Sequence, residues 1–214
     1  MIHTENTYVN AAICSKPEVL QEIKRATKNI AIHRRDIGLL ERELAQLNDK
    51  TFECRLSGSK TEVLAQLADF FRQELPPSPV LLDDITSALE IFEQITEAST
   101  YRLLLATVST NMCRKFHTDI NYLRLLCTYL GPGTLWLPNE AADQLDRQKG
   151  KAYQEDNIEP HLIQQVRTGD MLILKGALFP DANSVLHRSP TIEKDGAKRL
   201  LLRIDTNDPA SFWH

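Results

Sequence analysis

The sequence predicts an α+β protein. A mostly helical part over residues 1–99 packs on a β-rich core over 100–214, the two forming one compact unit. Two observations carry this reading. Up to residue 98, apolar residues recur at three- and four-residue spacing; from Tyr101 onward they gather into short runs parted by glycine- and proline-bearing turns. About eight such runs imply an antiparallel sandwich or barrel, with an eight-stranded jelly roll the natural candidate and the helices on its outer sheet.

The elements follow in order. Residues 1–16 show no committed pattern beyond a short edge segment around Tyr8-Val9. Pro17 suits a first helical turn, and Val19, Leu20, Ile23 and Ala26 keep helical spacing. Residues 29–33 read as a strand because their two isoleucines are β-branched. Asp36 is placed to cap a helix that turns Leu39, Leu40, Leu44 and Leu47 to one side. Residues 51–56 alternate apolar with polar, as a half-buried strand does. Helices are expected over 60–74 and 82–98, parted by Pro76, Pro77 and Pro79, which cannot sit inside a helix. Strands follow at 101–110, 116–119, 122–129, 134–137, 162–166, 171–176, 185–188 and 199–205, with a long polar loop over 139–158.

Composition narrows the function classes. A net charge of −4 leaves no electrostatic footprint for nucleic acid. No apolar run reaches the roughly 18–20 residues that span a bilayer, and the first residues lack the basic and apolar segments of a secretory signal. Cys14, Cys54, Cys113 and Cys127 contain no Cys-x-x-Cys pair. Free thiols in a reducing cytoplasm are therefore expected. Nucleotide-binding and serine-hydrolase motifs are absent.

Chemistry concentrates at Phe116-His117-Thr118-Asp119. On a strand, His117 and Asp119 share a face about 7 Å apart, close enough to hold one metal ion. His187 follows after two more strand-like runs. Two histidines and a carboxylate with open coordination positions suit non-haem Fe(II). Arg199 carries a permanently charged, fork-shaped guanidinium. Arg203, on the same face of its strand, is a substitute. Arg124 is buried by its apolar context and needs a partner, either a bound acid or Asp119. Tyr129 could donate a hydrogen bond to a cosubstrate. Arg188 and Lys175 read as structural. Cys113 shares strand parity with His117 and would complete a tetrahedral Zn(II) site, although four extended residues span about 13 Å.

The order of these features resembles the double-stranded β-helix (cupin-like) oxygenases that use Fe(II) and 2-oxoglutarate. A His-x-Asp lies early, a Gly-Asp turn precedes an apolar strand, and a lone histidine is followed twelve positions later by a basic residue. That resemblance implies iron on His117, Asp119 and His187, and a 2-oxoglutarate carboxylate on Arg199. More specifically, the stretches 113–119, 124–129, 131–134, 174–176, 187–190 and 199–202 resemble a bacterial family, domain of unknown function 1826. Its genes tend to lie near zinc-homeostasis genes, so the resemblance implies a metal-linked role without naming a reaction. Two expectations follow: an Fe(II)/2-oxoglutarate-dependent dioxygenase of unknown substrate, or a zinc-binding protein of metal homeostasis without oxygenase activity.

Overall fold

In a computed structural model of the chain, residues 8–142, 158–180 and 184–206 are described. Ten strands are present among them: β1 (Ala11–Cys14), β2 (Ile30–His33), β3 (Glu53–Gly58), β4 (Tyr101–Val108), β5 (Leu123–Leu130), β6 (Leu135–Trp136), β7 (Gln164–Gln165), β8 (Met171–Lys175), β9 (His187–Arg188) and β10 (Arg199–Thr206). Three α-helices accompany them: α1 (Glu41–Leu47), α2 (Lys60–Glu74) and α3 (Pro79–Thr96). Seven strands form one sheet in the order β1-β2-β8-β5-β10-β4-β3, and β7-β6-β9 form a second. Within the large sheet only β1 and β2 run parallel. No helix among the described residues is long and apolar enough to cross a membrane.

Side-chain alternation sorts the large sheet into two faces. On β5, Leu123, Leu125, Cys127 and Tyr129 join Leu200, Leu202 and Ile204 of β10 in the main core, under Val63, Leu67, Ile85, Leu89 and Phe92 of the helices. The alternate residues Leu126 and Leu201 face the other way, with Trp136 and Val185 in a second cluster beside the small sheet. Burying one face under helices and the other under a sheet accounts for the near-continuous apolar run of β5. Helix α2 begins with a capping box: Ser59 N donates to Glu62 Oε2 at 2.8 Å, and Glu62 N donates to Ser59 Oγ at 3.4 Å.

The differences from the sequence reading have local causes. Ala11–Cys14 is a strand buried on both faces, so it shows no alternation to read. Pro17–Lys24 forms a 3-10 helix. The helix expected after Asp36 is a 3-10 turn followed by α1, and Leu39 is 89% exposed rather than inward. Asp36 accepts from Gly38 N at 2.8 Å and so closes a local turn instead of capping α1. Phe116–Asp119 is not a strand; it is a loop that touches the small sheet through one isolated bridge. Much of the loop expected over 139–158 lies outside the described residues.

Candidate metal centre

Three anchors hold the His-x-Asp loop. Phe116 packs with Leu137, Ala141 and Ile158 in a third apolar cluster. His117 and His187 exchange backbone hydrogen bonds, N to O at 3.1 and 3.0 Å, as a bridged antiparallel pair. Asp119 O accepts from Ala177 N at 2.7 Å. The close approach of this loop to the end of β8 requires Gly176, where a Cβ would stand 2.0 Å from Asn121 Oδ1. The strand parity invoked for His117 and Asp119 therefore does not apply, yet backbone pairing brings both residues onto His187.

Ligand atoms of His117, Asp119 and His187 all lie within 4.8 Å of one another. The rings are 4.7 Å apart. His187 Nε2 is 3.2 Å from Asp119 Oδ2, and His117 Nε2 is 3.6 Å from Asp119 Oδ1. Each ring is oriented by a main-chain carbonyl: His117 Nδ1 lies 3.0 Å from Lys115 O and His187 Nδ1 lies 3.2 Å from Val185 O. A carbonyl only accepts, so each Nδ1 donates to the backbone and each Nε2 is the ring atom turned to the carboxylate. Two ring nitrogens and a carboxylate thus face a common point. Buried Asp119 Oδ2 lies between His187 Nε2 and the Arg124 guanidinium. This donor set fits a small divalent cation, with ring tautomers fixed by outer hydrogen bonds as metal-bound histidines require.

Electrostatics agree. Hydrogen bonding to Asp119 and then Cys113 raises His117 to about 10, so without a cation a proton enters the cluster. Burial pulls Asp119 upward, but bonds from His117 and His187, with Arg124 nearby, hold it far below the usual carboxylate range. Cys113 shares the cavity, and its hydrogen bond to His117 lowers its pKa. Cys113 stands outside the three-residue ligand group, which is not the four-ligand zinc set the sequence allowed.

The cavity over the cluster measures about 230 Å³, and Arg199 lines it. Arg199 is 2% exposed and donates from Nη2 to Thr128 Oγ1 at 3.0 Å; its Nε has no partner. Among the described residues no carboxylate pairs with it, and burial pushes it down to about 10. The turn before it is tight: a Cβ on Gly131, where φ is +77°, would meet Lys198 O at 2.3 Å.

Two other sequence candidates take different roles. Arg124 lines the cavity, but its fork is engaged by Asp119 and by Asp205, with Nε to Oδ1 at 2.6 Å and Nη2 to Oδ2 at 3.2 Å. It braces the metal-facing carboxylate and has no free edge for a cosubstrate. Tyr129 sits on the helix-covered face and donates to Asp84 at 2.6 Å. Its odd position on β5 turns it away from the cavity, which corrects its expected cosubstrate contact. Arg188 also lines the cavity, stacked 5.1 Å from the Phe116 ring. Sequence reading missed Asp205 and Thr128. Their signal was parity: Asp205 shares a face with Arg199 and Arg203, and Thr128 with Arg124.

Solved structures of similar fold include 2-oxoglutarate-binding oxygenases. The dioxygenase for auxin oxidation 1 of Arabidopsis thaliana, in binary complex with 2-oxoglutarate, superposes with TM-score 0.52 at 10% identity, covering 94% of this chain and 93% of that one. A Pseudomonas putida prolyl-4-hydroxylase gives TM-score 0.44 at 10% identity, covering 89% and 97%. Full-length Neurospora crassa T7H in complex with alpha-KG gives 0.42 at 13%, covering 89% and 77%. No curated protein matches the sequence. The chain belongs to the family of proteins of unknown function DUF1826, whose model matches residues 14–205.

Proposed function

We propose that the protein is an Fe(II)- and 2-oxoglutarate-dependent oxygenase whose two sheets form a jelly roll. His117, Asp119 and His187 hold the iron, and Arg199 takes the far carboxylate of 2-oxoglutarate. One observation carries this reading: two ring nitrogens and a carboxylate converge in the same cavity as a buried guanidinium that, among the described residues, has no carboxylate of its own. A metal-only role explains the first feature and leaves the second without a purpose.

When bound, iron and 2-oxoglutarate supply oxidation of a substrate by dioxygen. The chain's own residues supply placement. Lys115 O and Val185 O hold the two imidazoles in the metal-binding tautomer. Arg124 fixes Asp119 and, through Asp205, ties it to β10. Thr128 orients Arg199. Leu126 and Leu201 make part of the cavity wall apolar, which strengthens the electrostatic contacts made inside it.

The test is an anaerobic titration of metal-free protein with Fe(II) and then 2-oxoglutarate. The expected result is one equivalent of iron, followed by the weak visible absorption band of a 2-oxoglutarate chelate. His117→Ala loses the iron, whereas Arg199→Met keeps it and loses the band at moderate 2-oxoglutarate. Stoichiometric metal retained in His117→Ala, or no band in the wild-type protein, overturns the reading.

A further inference from the structure

We infer that Cys113 is a redox switch on the cosubstrate seat: peroxide converts its thiol to a sulfenic acid, and 2-oxoglutarate then no longer binds well at Arg199. This rests on the oxygenase reading above and names a regulation of that site.

Exposure singles out this thiol. Cys14, Cys54 and Cys127 are 6%, 3% and 0% exposed and lie in the main core under the helices. Cys113 is half-buried and lines the cavity on the other face of the large sheet. A small oxidant that enters the cavity therefore meets one cysteine. Reactive cysteines are partly exposed and stand near positive charge, whereas structural buried ones are inert.

Position makes the modification consequential. The Cys113 thiol hydrogen-bonds to His117. Among the described residues it is also the one titratable group whose charge acts on the Arg199 guanidinium. An independent feature marks the same place as a ligand seat: Arg199 is 2% exposed, lines the cavity, and has an Nε without a partner. Cys113 is thus coupled to both ends of the seat, the metal cluster and the buried guanidinium.

The sulfur attacks one peroxide oxygen. An S–O bond forms, the O–O bond breaks, and the second oxygen leaves as water with the thiol proton. Sulfur gives up two electrons and peroxide takes them. The added oxygen is a hydrogen-bond acceptor in the cavity and competes with a carboxylate for Arg199. It also takes space from a cavity of about 230 Å³, already below the roughly 300–1,000 Å³ of ordinary small-molecule sites. The other three cysteines lie across the sheet in the main core, so no internal disulfide forms and reversal falls to a small external thiol. That thiol displaces the oxygen as water to give a mixed disulfide, and a second thiol frees Cys113.

The test uses the full chain with Mn(II), treated with hydrogen peroxide and then with dimedone, which labels sulfenic acids. Peptide mass spectrometry should find the label at Cys113 before any other cysteine, and saturating 2-oxoglutarate should slow its appearance. In a parallel sample without dimedone, calorimetric 2-oxoglutarate affinity should fall by about tenfold or more, the worth of a charge-assisted hydrogen bond. Dithiothreitol should restore it. Met112, 46% exposed on the same cavity, also oxidises, but its sulfoxide is not reduced by dithiothreitol, so recovery assigns the effect to the thiol. Cys113→Ser should bind 2-oxoglutarate as wild type does and keep that affinity through peroxide. No label at Cys113, a label with unchanged 2-oxoglutarate affinity, or an equal loss in Cys113→Ser overturns the inference and leaves the oxygenase reading standing. Untreated wild-type protein that takes no metal or no 2-oxoglutarate overturns both.

Discussion

Two arginines, one half-buried and one buried, stand on opposite faces of one sheet with opposite surroundings. Arg35, which follows β2, meets the carboxylate of Asp84 on α3 through two bonds of 2.5 and 2.9 Å, and adds Gly169 O at 2.7 Å. Tyr129 donates to the same carboxylate. Arg199, on the cavity face, has one hydroxyl and, among the described residues, no acid. Burial pulls both guanidiniums toward losing their proton. Asp84 outweighs that pull at Arg35 and holds it above its usual range, whereas nothing does so at Arg199, which falls to about 10. A fold that uses arginine as a strut supplies its counter-ion internally; one that uses it to bind leaves the counter-ion to the ligand. Arg35 ties α3 to the sheet, and under the proposed function Arg199 takes its counter-ion from the cosubstrate.

Substitutions break this contrast from its strongest side first. Asp84→Asn leaves Arg35 charged and unmatched, and should cost about 3–5 kcal/mol in urea denaturation. Arg199→Met strands no partner charge, so its stability should stay within about 1 kcal/mol of wild type or rise above it. Its 2-oxoglutarate affinity, read from the absorption band, should fall by about 2 kcal/mol, roughly thirtyfold. An equal loss of stability in both variants would erase the distinction drawn here.

The metal cluster sharpens it through pH. His117 binds a proton up to about 10 in the metal-free chain, above its ordinary 6.5, so that contribution to stability is complete below about 6.5 and is lost as pH climbs toward 10. Metal must displace the same proton. Mn(II) affinity should therefore rise over that window, by up to about tenfold per pH unit. Calorimetry at several pH values reads the affinity, and thermal melts of the metal-free protein read the opposite trend. The smallest effect belongs to Tyr129→Phe, which removes one bond to Asp84 and should cost about 1 kcal/mol while leaving 2-oxoglutarate affinity unchanged.

Local pattern made much of this legible. Helix α2 follows from its capping box and its Val63, Leu67 and Phe71 stripe, and β10 from a run of leucines whose odd neighbours are Arg199, Arg203 and Asp205. The His117, Asp119 and His187 set was readable as residue types with a plausible order. The strand assigned to Phe116–Asp119 was not: a two-residue exchange with β9 leaves no periodicity in the sequence, and only the partner segment creates it.

By itself, then, the chain determined its helices and its long strands, because these depend on neighbours a few residues apart, and it carried His117, Asp119 and His187 as residue types in a readable order. Tertiary structure alone decided which face each β5 residue serves, that Arg124 spends its charge on Asp119 and Asp205, and that among the described residues Arg199 meets no acid. Those outcomes depend on β10 meeting β5 and the loop before it across 70 or more residues of sequence, and the sign and distance of a charge become definite only once the strands are in register.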